Sequence, residues 1–399
     1  MLTVETVVDD AELFRLVPEW TALEATITPR MPFRTPWWNL LWWHHLGKSH
    51  ALVRDEMRVY AVRNAQRELL AIAPMMITRR PGALMRLVRE LRFFGADVNI
   101  TEQRGLVCRA EHQPGVIAAL REAFNDSRAD WDVIHWAGID DSPAAREAIE
   151  QTGTVRWGPP IEDFFLPMPR QWDDFRAALP RNTKEALRKC YNSLKRDGHE
   201  FRLRVASRPD QTPAALDRFF ELHAERALRE DTVTHPNVFA EPAARAFLLD
   251  FCQHLAQRDQ LRVFQLEIGG EIVATRVAFQ MGNELFLYYS GYLPDWGRYS
   301  VMTTVVAEAL RWSIERGVRR VNLSTGSDPS KLRWRPDSRR CLQALQASET
   351  WHSRLRFGVY RWLRDLNLPV SPTPLDRPTG PAVLQRVAGP YNEAASREP

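Results

Sequence analysis

The chain is poor in cysteine. Cys108, Cys190, Cys252 and Cys341 lie far apart and form no Cys-x-x-Cys pair. That argues against a disulfide framework and a zinc site, and for a reducing compartment. Long apolar runs are missing as well. No stretch approaches the roughly 20 residues that a membrane-spanning helix needs. The opening residues, MLTVETVVDD, are acidic. They have no basic n-region and no apolar core, so no signal peptide is expected and the expected location is cytoplasmic. A strong excess of one charge is also absent. The net charge of +4 fits an acidic small ligand and does not call for DNA.

What is present is an ordinary globular balance, 44% hydrophobic and 26% charged, in 399 residues. That length suffices for two or three domains. From Leu368 onward the chain is rich in proline and small polar residues, so 368–399 is expected to be disordered. Before it, 349–367 reads as a C-terminal helix. There Trp351, Phe357, Tyr360 and Trp362 are mixed with arginines. Such a segment packs on its domain or, as the alternative, makes peripheral contact with a membrane through 351–366.

The second half has the clearest pattern. LRVFQLEI and EIVATRVAFQ are β-rich runs separated by Gly269-Gly270, and ELFLYYSG follows Gly282-Asn283. Three antiparallel strands are expected over 261–291. A loop, GYLPDWGRYSVM (291–302), then leads into a helix from about Val301 to Arg316, stopped by Gly317, and a strand VRRVNLST. Upstream, two stretches with helical spacing include Leu216, Phe219, Phe220 and His223.

The first half repeats this order. Residues 58–77 match 262–280 in design, LRFFG (91–95) matches LYYSG (287–291), 114–124 matches the later helix, and 131–138 matches the last strand. Two copies of one α/β unit are expected, at 1–165 and 166–348. The copies part at one joint. After Gly95 the first half runs into a long excursion, ADVNITEQRGLVCRAEHQPG, where the second has a short loop feeding a helix. If that joint holds a ligand, only the second copy has kept it, and the first is degenerate.

Four stretches carry a family resemblance: TPWWNLLWWHH (35–45), LPRNTKEALRKCYNSLKRDG (179–198), FFELHAERALRE (219–230), and GYLPDWGRYSVM with STGSDPSKLRW. In this element order they resemble the GNAT acyltransferases. More narrowly they resemble the long bacterial branch linked to polysaccharide biosynthesis, of the cellulose-biosynthesis acetyltransferase type and related to the tandem Fem-type aminoacyl transferases. The resemblance covers roughly residues 30–345 by that count of elements. It implies an α/β (α+β) fold of tandem GNAT-like domains, each a mixed, mainly antiparallel sheet flanked by helices. It also implies an N-acyltransferase that uses acetyl-CoA or another acyl-CoA as co-substrate, without a metal. The acceptor would be an amine on a small molecule or a saccharide. Two alternatives stand beside this one: aminoacyl-tRNA-dependent transfer, and a non-catalytic scaffold in polysaccharide synthesis.

The resemblance assigns the coenzyme pyrophosphate to Trp296, Gly297, Arg298, Tyr299, Ser300, Val301 and Met302. The physics of that joint agrees. Unpaired amides and the dipole at a helix start attract anions. Gly297 permits close approach, Arg298 adds charge, and Ser300 caps the helix or donates to the ligand. The loop has one glycine where the family signature has two or three. In the second motif the resemblance implies a Gly-x-x-x-x-Lys-x-x-Trp context, which Gly326, Lys331 and Trp334 match, with Ser324 before them as a further substrate-side residue. Lys331 is the candidate for steadying an oxyanion or an acidic substrate group. Base candidates are His223, Tyr288 or Tyr289, and Asp295. A lone histidine on an apolar helical face is more often a core residue, and the two tyrosines are expected to face opposite sides of their strand. Arg181 leads a basic helix that reads either as solvated or as a rim for an acidic partner. Trp37, Trp38, Trp42 and Trp43 are expected in core or interdomain packing.

Overall fold

The computed structural model describes residues 2–49, 53–81, 87–97, 99–128, 130–151, 154–228 and 236–348, with 350, 353 and 358. Trp351, Phe357, Tyr360, Trp362 and the tail 368–399 lie outside the described residues, and with them the expectations for a helix, a membrane contact and disorder.

The first half contains β1 (Thr3–Val7), α1 (Asp10–Arg15), α2 (Val17–Ala25), α3 (Pro36–Leu46), β2 (Arg54–Arg63), β3 (Leu69–Pro81) and β4 (Leu87–Phe93). It continues through β5 (Val107–Cys108), α4 (Gln113–Asp126), β6 (Val133–Asp140), α5 (Pro143–Glu150), β7 (Val155–Trp157) and β8 (Ile161–Pro167). The second half contains α6 (Trp172–Ala178), α7 (Arg181–Arg196), β9 (Phe201–Ala206), α8 (Thr212–Ala227), α9 (Pro242–Ala256), β10 (Leu261–Ile268) and β11 (Glu271–Met281). It ends with β12 (Glu284–Tyr292), α10 (Val301–Glu315), β13 (Arg320–Thr325), α11 (Pro329–Leu332) and β14 (Asp337–Ala347).

The repeat is visible in the pairing. An antiparallel meander β2–β3–β4, then α4, leads to β6 parallel to β4. Likewise β10–β11–β12, then α10, leads to β13 parallel to β12. All strands join one mixed, mainly antiparallel sheet of 14, in the order β1-β2-β3-β4-β6-β14-β8-β13-β12-β11-β10-β9, with β5 and β7 off that path.

The centre of this order shows an exchange. β8, from the end of the first half, pairs with β13 of the second. β14, from the end of the second half, pairs with β6 of the first. β8 also runs across the boundary expected between residues 165 and 166. Each half therefore completes the other's sheet.

Helices cover both faces. α8, α9 and α3 bury Phe219, Phe247, Phe251, Trp38 and Trp42 on one side, while α10 and α7 bury Val305, Leu310, Leu187 and Leu194 on the other. Trp38 lies 4.8 Å from both Phe247 and Phe251, edge on, so α3 of the first half packs on α9 of the second. The indole N–H groups of Trp38 and Trp42 donate to Thr101 Oγ1 (3.1 Å) and Asp97 Oδ2 (2.7 Å). These aromatics thereby anchor the start of the first half's excursion.

The two parallel joints have opposite fates. β4 and β6 pair only at Glu90–Val133 and Leu91–Ile134 before they splay. The excursion fills that gap: Leu106 N–H donates to the Ala137 carbonyl at 3.3 Å. Gly105 makes this possible. Its φ is +138°, and a Cβ there would stand 2.1 Å from the Ala137 oxygen. β12 and β13 also splay after Glu284–Arg320, Leu285–Val321 and Phe286–Asn322. Between these two strands a cavity remains open.

Candidate active site

The cavity measures about 970 Å³. Its walls include Leu287 to Ser290 of β12, Leu323 to Thr325 of β13, and Met302 and Thr303 from the first turn of α10. Asn99, Thr101 and Glu102 of the first half's excursion close one side. Of the residues expected from sequence, His223, Tyr288, Tyr289, Met302, Ser324, Gly326, Lys331 and Trp334 meet on these walls. Arg181, Asp295, Trp296, Gly297, Arg298, Tyr299, Ser300 and Val301 are not on them.

β-Bulges shape both strands beside the gap. On β12, Tyr288 and Tyr289 together oppose Val277 of β11. This bulge breaks the alternation on which the opposite-faces expectation rested. The two rings lie 4.6 Å apart in one aromatic cluster. Their hydroxyls donate, each at 2.5 Å, to the carbonyls of Ile100 and Asn99. Burial pushes the Tyr288 hydroxyl well above its ordinary pKa. These bonds dock the excursion onto β12.

On β13, Leu323 and Ser324 together oppose Phe164 of β8. Ser324 sits in the left-handed region at φ +77°. A side-chain relay holds it there. Ser324 N–H donates to Asn322 Oδ1 at 2.6 Å, and Asn322 Nδ2 donates to both Asp163 oxygens at 2.9 Å. Asp163 is 1% exposed, and burial pushes its carboxyl up to about 6. The unfolded value is near 3.9, so the fold loses stability as pH rises through 4 to 6. Two pKa units amount to about 3 kcal/mol. Asp163→Asn, which keeps an acceptor for Asn322, is expected to remove that slope. Urea unfolding at pH 4 and pH 7 should show the parent losing about 2 kcal/mol more than the variant. Equal slopes would place the titration elsewhere.

Lys331, in α11, donates from Nζ to Ser324 Oγ (3.3 Å) and to the Thr325 carbonyl. Burial lowers its pKa, while Glu102 and Asp328 oppose the shift. Glu102 reaches the same residue from the first half: its Oε2 accepts from Thr325 N–H at 3.2 Å. Burial raises the Glu102 pKa above the carboxylate range, against the pull of Lys331. An ammonium and a carboxylate thus meet the backbone of one residue, Thr325, at the gap.

His223 is 3% exposed, among Phe219, Phe239 and Tyr289. Its Nδ1 meets the Ser290 carbonyl at 3.0 Å and so carries the proton, and Nε2 has no partner of hydrogen-bond geometry among the described residues. Burial lowers its pKa, the Ser290 and Pro236 carbonyls oppose the shift, and Arg226 adds to it. It is at once a core residue and a wall residue. Trp334 is buried and stacks near Phe175, 6.3 Å between centroids.

The expected phosphate loop forms a tight turn, Pro294–Tyr299, ahead of α10. Tyr299 is buried, and its hydroxyl donates to Asp197 Oδ2 at 3.0 Å. Trp296 packs on His199, and the Arg298 guanidinium stands 4.8 Å above the Tyr299 ring. Ser300 is left-handed, at φ 54°, and its side chain does not cap α10. Its carbonyl accepts from Thr303 and Thr304 instead, so the amides of Val301 and Met302 have no acceptor within the helix. Gly297 is not required by packing, because a Cβ there would come no closer than 3.7 Å to Tyr292. Val301 is buried and Asp295 exposed. Arg181 is solvated, with 93% of its side chain accessible and Glu185 as partner.

Residues 181–332 match the family model described as the acetyltransferase (GNAT) domain. The match runs from the start of α7 to the end of α11 and so contains the splayed joint, the α10 loop and Lys331. Among solved structures, one described as FemX is 9% identical, covers 85% of this chain and 96% of its own, and superposes with a TM-score of 0.56. That likeness is one of fold. The C-terminal domain of a putative lysylphosphatidylglycerol synthetase from Agrobacterium fabrum is 14% identical over 88% of this chain and 97% of its own, TM-score 0.47. A tandem GNAT protein from the clavulanic acid biosynthesis pathway is 11% identical over 88% and 99%, TM-score 0.44. No curated protein matches the sequence.

Glu102, Asp163, Arg226 and Arg276 escaped the sequence reading. For Glu102 a signal existed: it lies in the one segment where the first half departs from the repeat.

Proposed function

We propose that the chain transfers an acyl group from an acyl-coenzyme A to an amine in the gap between β12 and β13. Both substrates are present together in a ternary complex. The observation that carries this reading is the open gap: it lies inside the acetyltransferase-type domain, borders the start of α10, and is lined by Lys331 and Glu102. The coenzyme phosphates lie at the amides that open α10, with Arg298 nearby, and the thioester arm lies in the gap. Glu102 accepts the proton of the attacking amine. As the C–N bond forms, the ammonium of Lys331 steadies the charge on the thioester oxygen. The C–S bond then breaks, and coenzyme A leaves as a thiolate that takes up a proton. The acceptor is an amino sugar or another polysaccharide precursor. The first half is catalytically degenerate at its own joint and serves the second by supplying Glu102.

Calorimetric titration with acetyl-CoA and longer acyl-CoAs tests this. One site per chain is expected, and two sites or none would overturn it. Gly297→Val is expected to weaken binding about tenfold or more with an unchanged melting temperature, because the space beside Gly297 is open. Unchanged affinity would remove the phosphates from this loop.

The second reading, aminoacyl-tRNA-dependent transfer, draws on α7. There Arg188, Lys189 and Lys195 form no ion pair among the described residues. Tight tRNA binding without acyl-CoA binding would favour it. Binding of neither would favour the scaffold.

A further inference from the structure

Arg276 enters the gap from β11, opposite Ser290 and beside the β12 bulge. Its Nη2 donates to the Leu287 carbonyl at 3.1 Å, while its Nε is sealed from solvent and has no acceptor among the described residues. Among the described residues no carboxylate touches it. Burial pushes its pKa down to about 10, and Arg226 adds to that push, whereas Glu102 and Asp328 oppose it from a distance. Other buried arginines of the sheet, such as Arg63 and Arg80, meet carboxylates directly. Among the described residues Arg34 and Arg104 meet no carboxylate, but neither lines the cavity. A half-buried guanidinium with no carboxylate in contact favours a counter-charge. Arg276 alone of these three unpaired arginines faces a space from which one can arrive.

We infer that Arg276 seats an anionic group, a carboxylate or a phosphate, that a substrate brings into the gap between β12 and β13. The planar fork of guanidinium N–H groups suits either oxyanion, which it can hold through parallel bonds. The identity of that substrate rests on the acyl-transfer reading, but the anion seat does not. Two substrates are possible sources: an acyl chain ending in a carboxylate, or an acidic acceptor.

The test has two arms. In the first, succinate and inorganic phosphate are titrated into the full chain, alone and with saturating coenzyme A to occupy the α10 loop. The parent is expected to bind one of them, and Arg276→Gln to bind it about tenfold to a hundredfold more weakly. Arg276→Lys, which keeps the charge and loses the fork, is expected to fall between them. In the second arm, succinyl-CoA is compared with acetyl-CoA. A preference for succinyl-CoA that disappears in Arg276→Gln assigns the anion to the donor. Equal binding of the two thioesters, with succinate still binding to the acetyl-CoA complex, assigns it to the acceptor. Melting temperatures with and without the anion, measured on the parent, give a readout that survives an unstable variant: the parent is expected to rise. A parent that shows no anion binding and no succinyl-CoA preference overturns the inference, as does an Arg276→Gln protein that binds like the parent. Succinate binding without any coenzyme A ester keeps the anion seat and sinks the acyl-transfer reading.

Discussion

Glu102→Gln is expected to slow acyl transfer by about a hundredfold or more while leaving acyl-CoA affinity nearly unchanged. The variant keeps an oxygen for Thr325 N–H and loses only the basic carboxylate. The measurement is coenzyme A release with a panel of amines, followed against pH. A base must be unprotonated, so the parent rate falls as pH drops through the Glu102 pKa, which burial has raised. In the variant that acidic limb should vanish along with most of the rate. His223 is the built-in competitor, because its Nε2 lone pair also lies at the wall. If the limb persists in Glu102→Gln and disappears in His223→Gln, the histidine is the base. The first half would then contribute walls and no chemistry.

Lys331→Ala should separate chemistry from binding in the same assay. Loss of a preorganised oxyanion donor lowers turnover by about a hundredfold or more. Acyl-CoA affinity is expected to stay within about twofold, because the site proposed for the coenzyme phosphates is at α10 and not at α11. Lys331 also holds the Thr325 carbonyl and the Ser324 hydroxyl, so a merely structural role would produce a slow variant too. Lys331→Arg resolves this. It retains a cation, and under the electrostatic role it should recover part of the rate. A loss of acyl-CoA affinity in Lys331→Ala that matches the loss of rate would instead make the ammonium a donor-binding group.

Much of the fold was legible because its signals are local. The hairpins at Gly269-Gly270 and Gly282-Asn283, the helical spacing through Phe219 and Phe220, and the loop feeding α10 are each set within a few residues by turn chemistry and periodicity. The repeat followed from their order. Lys331 and Gly326 were placed by the family resemblance of one short motif, and they do share a cavity wall with His223 and the two tyrosines. The side-chain cap expected at Ser300 did not form, because Ser300 adopts a left-handed conformation that no neighbouring residue type announces.

The residues themselves, through composition, periodicity and turn chemistry, dictated two similar α/β units and the joint where the second has a short loop feeding a helix. What they left open depends on contacts between distant segments. Tyr288 docks on the Ile100 carbonyl 188 positions away, and Thr325 N–H meets Glu102 across 223. β8 and β14 change places between the halves, since pairing partners so remote leave no mark in local sequence. The same physics left Glu102 and Arg276 unseen. A charged side chain looks like ordinary solvated surface until folding withdraws it from water, and here it is the meeting of the first half's excursion with the bulged strands of the second that does so.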